Sequence, residues 1–340
     1  MGIERGSRVL VPSYICCAAV DPLLAYGVDV DFYAVNRDCS IDLPDLERRI
    51  TPTTRAVIVV HYFGFPQPLR KIKLLCDSHR ITLIEDCAHV LTGENEGEPV
   101  GTAGDAAVFS WRKFLPIYDG AELVINRPGH SGRIEWAKES SIFTMKVAAN
   151  MLDASLVQAR QPVLKLAYRG IRTCEAVFRR YANSHWRNSP MMKVETTAVS
   201  FDAQSVNWPM SRLSRWTKNH SDIEHIIARR RRNYEVLLQE LSAIKEVTPL
   251  YPQLPPNVCP WVFPVLFAGL RDAHVSLRHR GIPAATWGGV QHPQIPQHSF
   301  PNSRFLYEKL VFLPVHQCLE DKDLVNIAAT VQALCKKKLL

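Results

Sequence analysis

Residues 81–89 read Ile81-Thr82-Leu83-Ile84-Glu85-Asp86-Cys87-Ala88-His89. A short apolar run leads straight into two acids, a thiol and an imidazole. An apolar run of this length, followed at once by polar groups, fits a strand buried on both faces. In an open α/β sheet, ligands sit beyond the carboxyl ends of the strands. Asp86 therefore stands where a ligand can be held. The flanking sequence agrees. Arg8–Pro12 and Val28–Tyr33 read as strands, and Ile15–Tyr26 between them is helix-like, with Gly27 as its stop signal. Leu43–Ile50 predicts a short charged helix, Ala56–His61 a β-branched buried strand, Leu69–His79 a helix and Ala106–Phe109 another strand. Strand and helix alternating in this way predict an α/β domain with a mostly parallel sheet.

The character changes after about Gly129. Phe143–Tyr181 is rich in Ala, Leu, Met and Arg and reads as helical. Lys146, Arg160, Lys165, Arg169, Arg172, Arg179 and Arg180 outnumber Asp153 and Glu175 there. Such a stretch is expected to be a helical excursion packed on the domain or on a second subunit; contact with a membrane surface or a polyanion is the alternative. Trp216–Leu241 predicts one long helix, with the run Arg229–Arg232 on a solvated face; nucleic-acid binding is the alternative for that run. A strand at Trp261–Phe267 and helices at Asp272–Arg280 and Asp321–Leu334 complete a smaller α+β part. The expected organisation is a large α/β domain over 1–215, with a helical excursion at about 134–200, and a small C-terminal domain over 216–340.

Composition narrows the function classes. The chain has 340 residues, 46% hydrophobic and 22% charged, as in an ordinary globular protein. Its 9 cysteines include no CxxC pair, so a disulfide scaffold and a zinc ribbon are both disfavoured and a reducing, cytoplasmic setting is expected. No apolar signal segment opens the chain, and no stretch reads as a membrane helix. The net charge of +8 is mild; it suits an anionic small molecule and does not indicate nucleic acid.

Past the strand ending at Phe109 comes Ser110-Trp111-Arg112-Lys113. A carboxylate (Asp86), an imidazole (His89), a hydroxyl (Ser110) and an amine (Lys113) are thus expected at one crevice. That set meets the demands of pyridoxal phosphate. An amine forms the Schiff base, a carboxylate keeps the pyridine nitrogen protonated, a donor stands near the ring hydroxyl, and hydroxyls or backbone N–H groups hold the phosphate. On its own the set is only suggestive, because any α/β protein carries Asp and Lys near strand ends.

The order of motifs adds to it. Val9–Ser13, Arg49–Ile58, Val60–Gly64, Ile84–His89, Val100–Asp105 with Phe109-Ser110, Asn207–Ser211, Ile226–Arg232 and Phe312–His316 together resemble the DegT/DnrJ/EryC1/StrS family of sugar aminotransferases. The resemblance implies fold type I of the pyridoxal phosphate enzymes. It implies Lys113 as the Schiff-base lysine and proton shuttle, and Asp86 as partner of the pyridinium nitrogen. It also implies His89 against the ring oxygen, Ser110 on the phosphate, and Asn207 on the phosphate of a neighbouring subunit in a homodimer. The implied substrates are an amino donor, glutamate, and a nucleotide-linked keto-sugar. Lys113 argues against the dehydratase branch, which carries His there.

This sequence also departs from the family pattern. Only eight residues precede the Val9–Ser13 motif, where members carry a helix and a Gly-(Ser/Thr)-Ala phosphate loop. Cys16 stands at the position of an aromatic that stacks on the pyridine, and Ser110 and Lys113 are three apart rather than five. Asp119-Gly120-Ala121-Glu122 replaces a glycine-richer turn, Pro209 replaces an Arg, and the stretch between Lys113 and Asn207 is longer. His61, at a strand end, is expected to be structural; Asp105 to support the fold; Asp119 and Gly120 to shape the turn after the lysine. The alternative expectation is a non-catalytic paralogue that binds the cofactor or a sugar nucleotide.

Overall fold

The structure, a computed structural model, describes residues 2–127, 134–158, 201–270, 272–287, 291–296 and 298–336. The N-terminal part is a six-stranded sheet in the order β2-β1-β3-β4-β7-β8. Its strands are β1 (Arg8–Pro12), β2 (Asp29–Tyr33), β3 (Thr54–Val60), β4 (Thr82–Cys87), β7 (Ala106–Ser110) and β8 (Ala121–Ile125). All neighbours are parallel except β7 and β8, which form an antiparallel edge. A two-stranded hairpin, β5 (Glu94–Asn95) with β6 (Glu98–Pro99), lies between β4 and β7 in sequence.

Helices α1 (Cys17–Tyr26), α2 (Leu43–Arg49) and α3 (Arg70–Ser78) fill the crossovers. Gly27 ends α1 at φ 94°, its N–H donating to Leu23 and Leu24 carbonyls, as the sequence predicted. The Asp42 carboxylate caps α2 by accepting from Asp45 N–H. The continuous apolar character of β3 follows from burial on both faces: Ala56, Val57 and Val59 are fully covered.

Helix α4 (Ser141–Gln158) begins the predicted helical stretch; the rest of it, to Tyr181, lies outside the described residues. The single helix expected over Trp216–Leu241 is instead two, α5 (Arg212–Asn219) and α6 (Ile223–Ser242). The break has a local cause. Asp222 leaves helical geometry and accepts from His225 N–H as the N-cap of α6. A three-stranded antiparallel sheet follows, in the order β11-β10-β9, from β9 (Val247–Pro249), β10 (Val262–Phe267) and β11 (Leu310–Pro314). Helices α7 (Ala273–Arg278), α8 (Pro301–Lys309) and α9 (Asp321–Lys336) surround it. Strands β8, β9 and β11 and helix α8 are not among the expected elements, although β11 is an apolar run, Leu310-Val311-Phe312-Leu313.

One hydrophobic cluster runs through both sheets, from Val9 and Val57 to Phe263 and Leu313. A second, with Phe114, Leu115, Ile226 and Cys259, lies beneath the turn that carries Lys113.

The run Arg229–Arg232 departs from the expected solvated face. Arg230 is 1% exposed. Its guanidinium donates to Gln317 Oε1 (2.8 Å) and to the carbonyls of Trp261 (2.9 Å) and Pro260 (3.4 Å), and it packs on the Phe114 ring. Arg229 donates to the Leu319 carbonyl, and Arg231 to those of Pro255 and Val258. Only Arg232, paired with Asp321 at 2.7 Å, is exposed. A helix with four successive arginines presents them all around its axis, so one of them must face the core.

Candidate active site

The parallel strands end on one side of the sheet, and the predicted residues sit at those ends. Asp86 is half-buried near the end of β4 and His89 is buried three residues on; Ser110 closes β7, and Lys113 ends the 3-10 turn Trp111–Lys113 that follows it. Asp86, His89 and Lys113 are close enough to set one another's charge. Burial lowers the Lys113 amine to about 8, while the Asp86 carboxylate pulls it upward. Burial raises Asp86 above the ordinary carboxylate value, against the Ala88 N–H that donates to it at 2.9 Å and the Lys113 charge. The result is an amine with a free fraction near neutral pH, coupled to a buried carboxyl group whose own value is raised.

His89 is held neutral, first by burial and then by the Lys113 charge. Its Nδ1 accepts the Phe63 N–H at 3.3 Å, so Nε2 carries the ring proton. The imidazole is stacked on Trp261, with centroids 4.1 Å apart and planes at 20°. Trp261 also touches the lysine: Lys113 Nζ is 4.6 Å from its ring centroid. Trp261 escaped the sequence reading, which took it as the first residue of a strand. It is 148 positions from Lys113, and no local pattern signals such a contact.

Glu85 points to the other side of β4 from Asp86. It is fully buried and accepts from His61 Nε2 (2.9 Å), Gly101 N–H (2.9 Å) and Gly104 N–H (2.6 Å). His61 Nδ1 accepts from Gln67 N–H at 2.9 Å. Donor atoms of His61, Glu85 and Cys87 lie within 4.8 Å of one another, a spacing that suits a metal ion. Yet both imidazole nitrogens and both carboxylate oxygens already serve protein hydrogen bonds. The network binds strand to loop.

Asp119 and Asn207 belong to a neighbouring arrangement. The Asp119 carboxylate accepts from Ser211 N–H (2.6 Å), Ser211 Oγ (2.8 Å) and Ser214 Oγ. This ties the turn after the lysine to the segment 207–211. Gly120, at φ 132°, lets that turn pass Met210, whose Cε would lie 2.7 Å from an added Cβ. Asn207 itself is exposed, its carbonyl accepting from Ala137 N–H at 2.8 Å. It is not brought to Lys113 within this chain. Asp105 accepts from Leu83 N–H and supports the sheet, as expected.

The arrangement fits pyridoxal phosphate at the ring end: a lysine amine of lowered affinity for protons, a half-buried carboxylate and an N–H donor lie together at the strand ends. Comparison with known proteins points the same way. Residues 1–129 match the profile of the DegT/DnrJ/EryC1/StrS aminotransferase family. That segment, well under half of the chain, is similar to the family. Over 129 residues the chain is 32% identical to the GDP-perosamine synthases of Vibrio cholerae and of Escherichia coli O157:H7, a match covering 37% of this chain and 35% of each relative. The match thus spans about a third of these relatives' length.

Solved structures show a likeness of fold over the whole chain. The aminotransferase TlmJ from Streptoalloteichus hindustanus superposes with TM-score 0.67 at 21% identity, over 100% of this chain and 82% of that one. Helicobacter pylori PseC, an aminotransferase of pseudoaminic acid biosynthesis, gives 0.66 at 19% identity, over 99% and 81%. S. venezuelae DesV gives 0.65 at 20%, over 98% and 80%. The fold is that of these aminotransferases, fold type I of the pyridoxal phosphate enzymes. Among the described residues no helix is long and apolar enough to cross a membrane, and no cysteine is bridged.

Proposed function

We propose that the chain is a pyridoxal-phosphate-dependent aminotransferase that moves an amino group from glutamate to a nucleotide-linked keto-sugar. The observation that carries this reading is the Lys113 amine, lowered to about 8, beside Asp86 and His89 at the ends of parallel strands. The cofactor, when bound, supplies an electron sink that weakens the bond between the substrate carbon and its proton. Lys113 Nζ would hold the cofactor, and its free amine would be the group that takes and returns that proton. An amine near 8 suits both tasks at neutral pH. Asp86 would keep the ring nitrogen protonated, and His89 would offer its Nε2–H to the ring oxygen. Ser110 Oγ serves the phosphate, with Asn207 from a second copy in a homodimer; its exposure on the surface favours that role.

The names of the curated relatives support a nucleotide-linked sugar as acceptor. The unbridged cysteines fit a cytoplasmic enzyme. We assign the covalent and charged groups to a domain spanning 1–215 and the remainder to one spanning 216–340.

The test is borohydride reduction of the full chain mixed with pyridoxal phosphate, followed by peptide mass mapping and a Lys113→Ala control. A reduced adduct on Lys113, with a visible band that the variant lacks, is expected. No adduct in the wild-type chain, or one on another lysine with Lys113 untouched, overturns the reading and favours a non-catalytic paralogue.

A further inference from the structure

Trp261 meets two of the three residues assigned to the cofactor ring. Its indole is stacked on His89 at 4.1 Å, and the Lys113 amine hangs over it at 4.6 Å from the ring centroid. The backbone holds it there from two sides. Trp261 N–H donates to the Phe63 carbonyl at 2.8 Å, and its own carbonyl accepts from the buried Arg230 at 2.9 Å. These bonds fix the start of β10 between the exit of β3 and the lysine turn. Gly64 makes the approach possible, since a Cβ there would lie 2.3 Å from the Cys259 carbonyl oxygen. The indole is half-buried, so it borders the crevice rather than filling the core. Cys16 also lies near enough to Lys113 to act on its charge, but a thiol offers no π surface.

A flat conjugated ring joined to Lys113 Nζ starts within a few ångströms of this indole. Aromatic rings attract one another in stacked geometry at centroid separations of roughly 4.5–7 Å. A cation held over an indole face is stabilised too, so without the cofactor the same surface holds the protonated amine. We propose that the Trp261 indole is the surface on which the pyridine ring of the cofactor stacks. A residue of the C-terminal part thereby completes a site whose covalent and charged groups all come from the N-terminal part. This rests on the reading of Lys113 as the cofactor lysine.

The experiment compares wild type, Trp261→Phe and Trp261→Leu in the full chain. Each is titrated with pyridoxal phosphate by visible absorbance, reduced with borohydride and mapped, and melted without cofactor to score folding separately. Phe keeps a π face; Leu keeps apolar bulk without one. Trp261→Leu is expected to weaken binding about three- to tenfold, the worth of one aromatic pair, and to shift the visible band. Trp261→Phe should stay within about threefold of wild type, with the band unmoved, because one aromatic face replaces another. If Trp261→Leu still forms the adduct on Lys113 and binds as tightly as wild type, the stacking role is overturned while the functional reading stands. Tighter binding overturns it as well, by showing that the indole takes the ring's place. No adduct on Lys113 in the wild-type chain sinks both.

Discussion

Burial sets the Lys113 amine apart from an ordinary lysine, and this makes its pH dependence testable. A lysine at about 8 is half in its free form near that pH, whereas an ordinary lysine titrates well above 10. The rate at which an amine-directed reagent modifies Lys113, followed by peptide mapping, should therefore reach half its maximum near pH 8. Asp86 is the main group holding that value up against burial. In Asp86→Asn the midpoint should move to lower pH, and transaminase turnover should fall by about 100-fold or more, as expected when the partner of the reacting ring is lost. A midpoint near pH 10 in the wild type would contradict the desolvated setting.

Glu85 poses a different residue-scale question, because it is fully buried and serves structure. Burial pushes its carboxyl up, yet the hydrogen bonds from His61, Gly104 and Gly101 outweigh that and hold it below the ordinary range. A carboxyl with a depressed folded value contributes stability that is complete above the ordinary glutamate range and is lost as pH falls through the depressed value. Glu85→Ala leaves three buried donors unpaired and should cost about 3–5 kcal/mol in urea unfolding at pH 7. The difference from wild type should shrink as the pH is lowered below the ordinary glutamate range.

At the scale of elements, the turn after β3 shows why one backbone atom can matter as much as a side chain. Gly64 sits at φ 98°, and a Cβ there would meet the Cys259 carbonyl oxygen at 2.3 Å. Both strain and collision act against any side chain. Gly64→Ala should cost at least about 2 kcal/mol by thermal or denaturant unfolding. The same substitution should disturb the Trp261–Phe63 backbone bond and so lower cofactor affinity. An alanine variant as stable as wild type would show that the β3 exit and the start of β10 are not in contact. The split of α5 from α6 belongs to this scale as well. The apolar spacing of residues 216–241 is helical throughout, but Asp222 offers its own carboxylate to the next helix, and one capping bond decides the boundary.

For the whole molecule, Arg230 is the link that the sequence concealed. Its guanidinium is buried and bonded to Gln317 and to the carbonyls of Trp261 and Pro260, with the Lys113 carbonyl at 3.5 Å. Gln317 in turn donates to the Phe114 carbonyl at 2.8 Å. Helix α6 thus holds the lysine turn and the start of β10 in one place. Burial lowers this guanidinium to about 10, so it remains charged at neutral pH. Arg230→Met should destabilise the chain by about 2–4 kcal/mol, since several buried acceptors lose their donor. Gln317→Ala, a milder change, should leave the fold intact and slow adduct formation on Lys113. A Gln317→Ala protein that forms the adduct at the wild-type rate would argue that the clamp does not position the lysine.

The sequence by itself determined the α/β alternation, the strand that delivers Asp86 and the turn that delivers Lys113. Each is encoded by local apolar periodicity and by polar residues placed where a strand stops. It also marked Gly27 and Gly120, because backbone conformation at a stop or a turn is a local property. Tertiary structure alone decided which distant residues meet. Trp261 against Lys113, Arg230 among carbonyls and Asp119 on Ser211 and Ser214 join residues about 30 to 150 positions apart. No short-range pattern encodes such a meeting, since it is set by how the two sheets share one core. The four-arginine run shows the physical reason most plainly. Local composition reads as surface, but a helix packed on one side must turn one of four consecutive residues inward, and only the packing partner determines which.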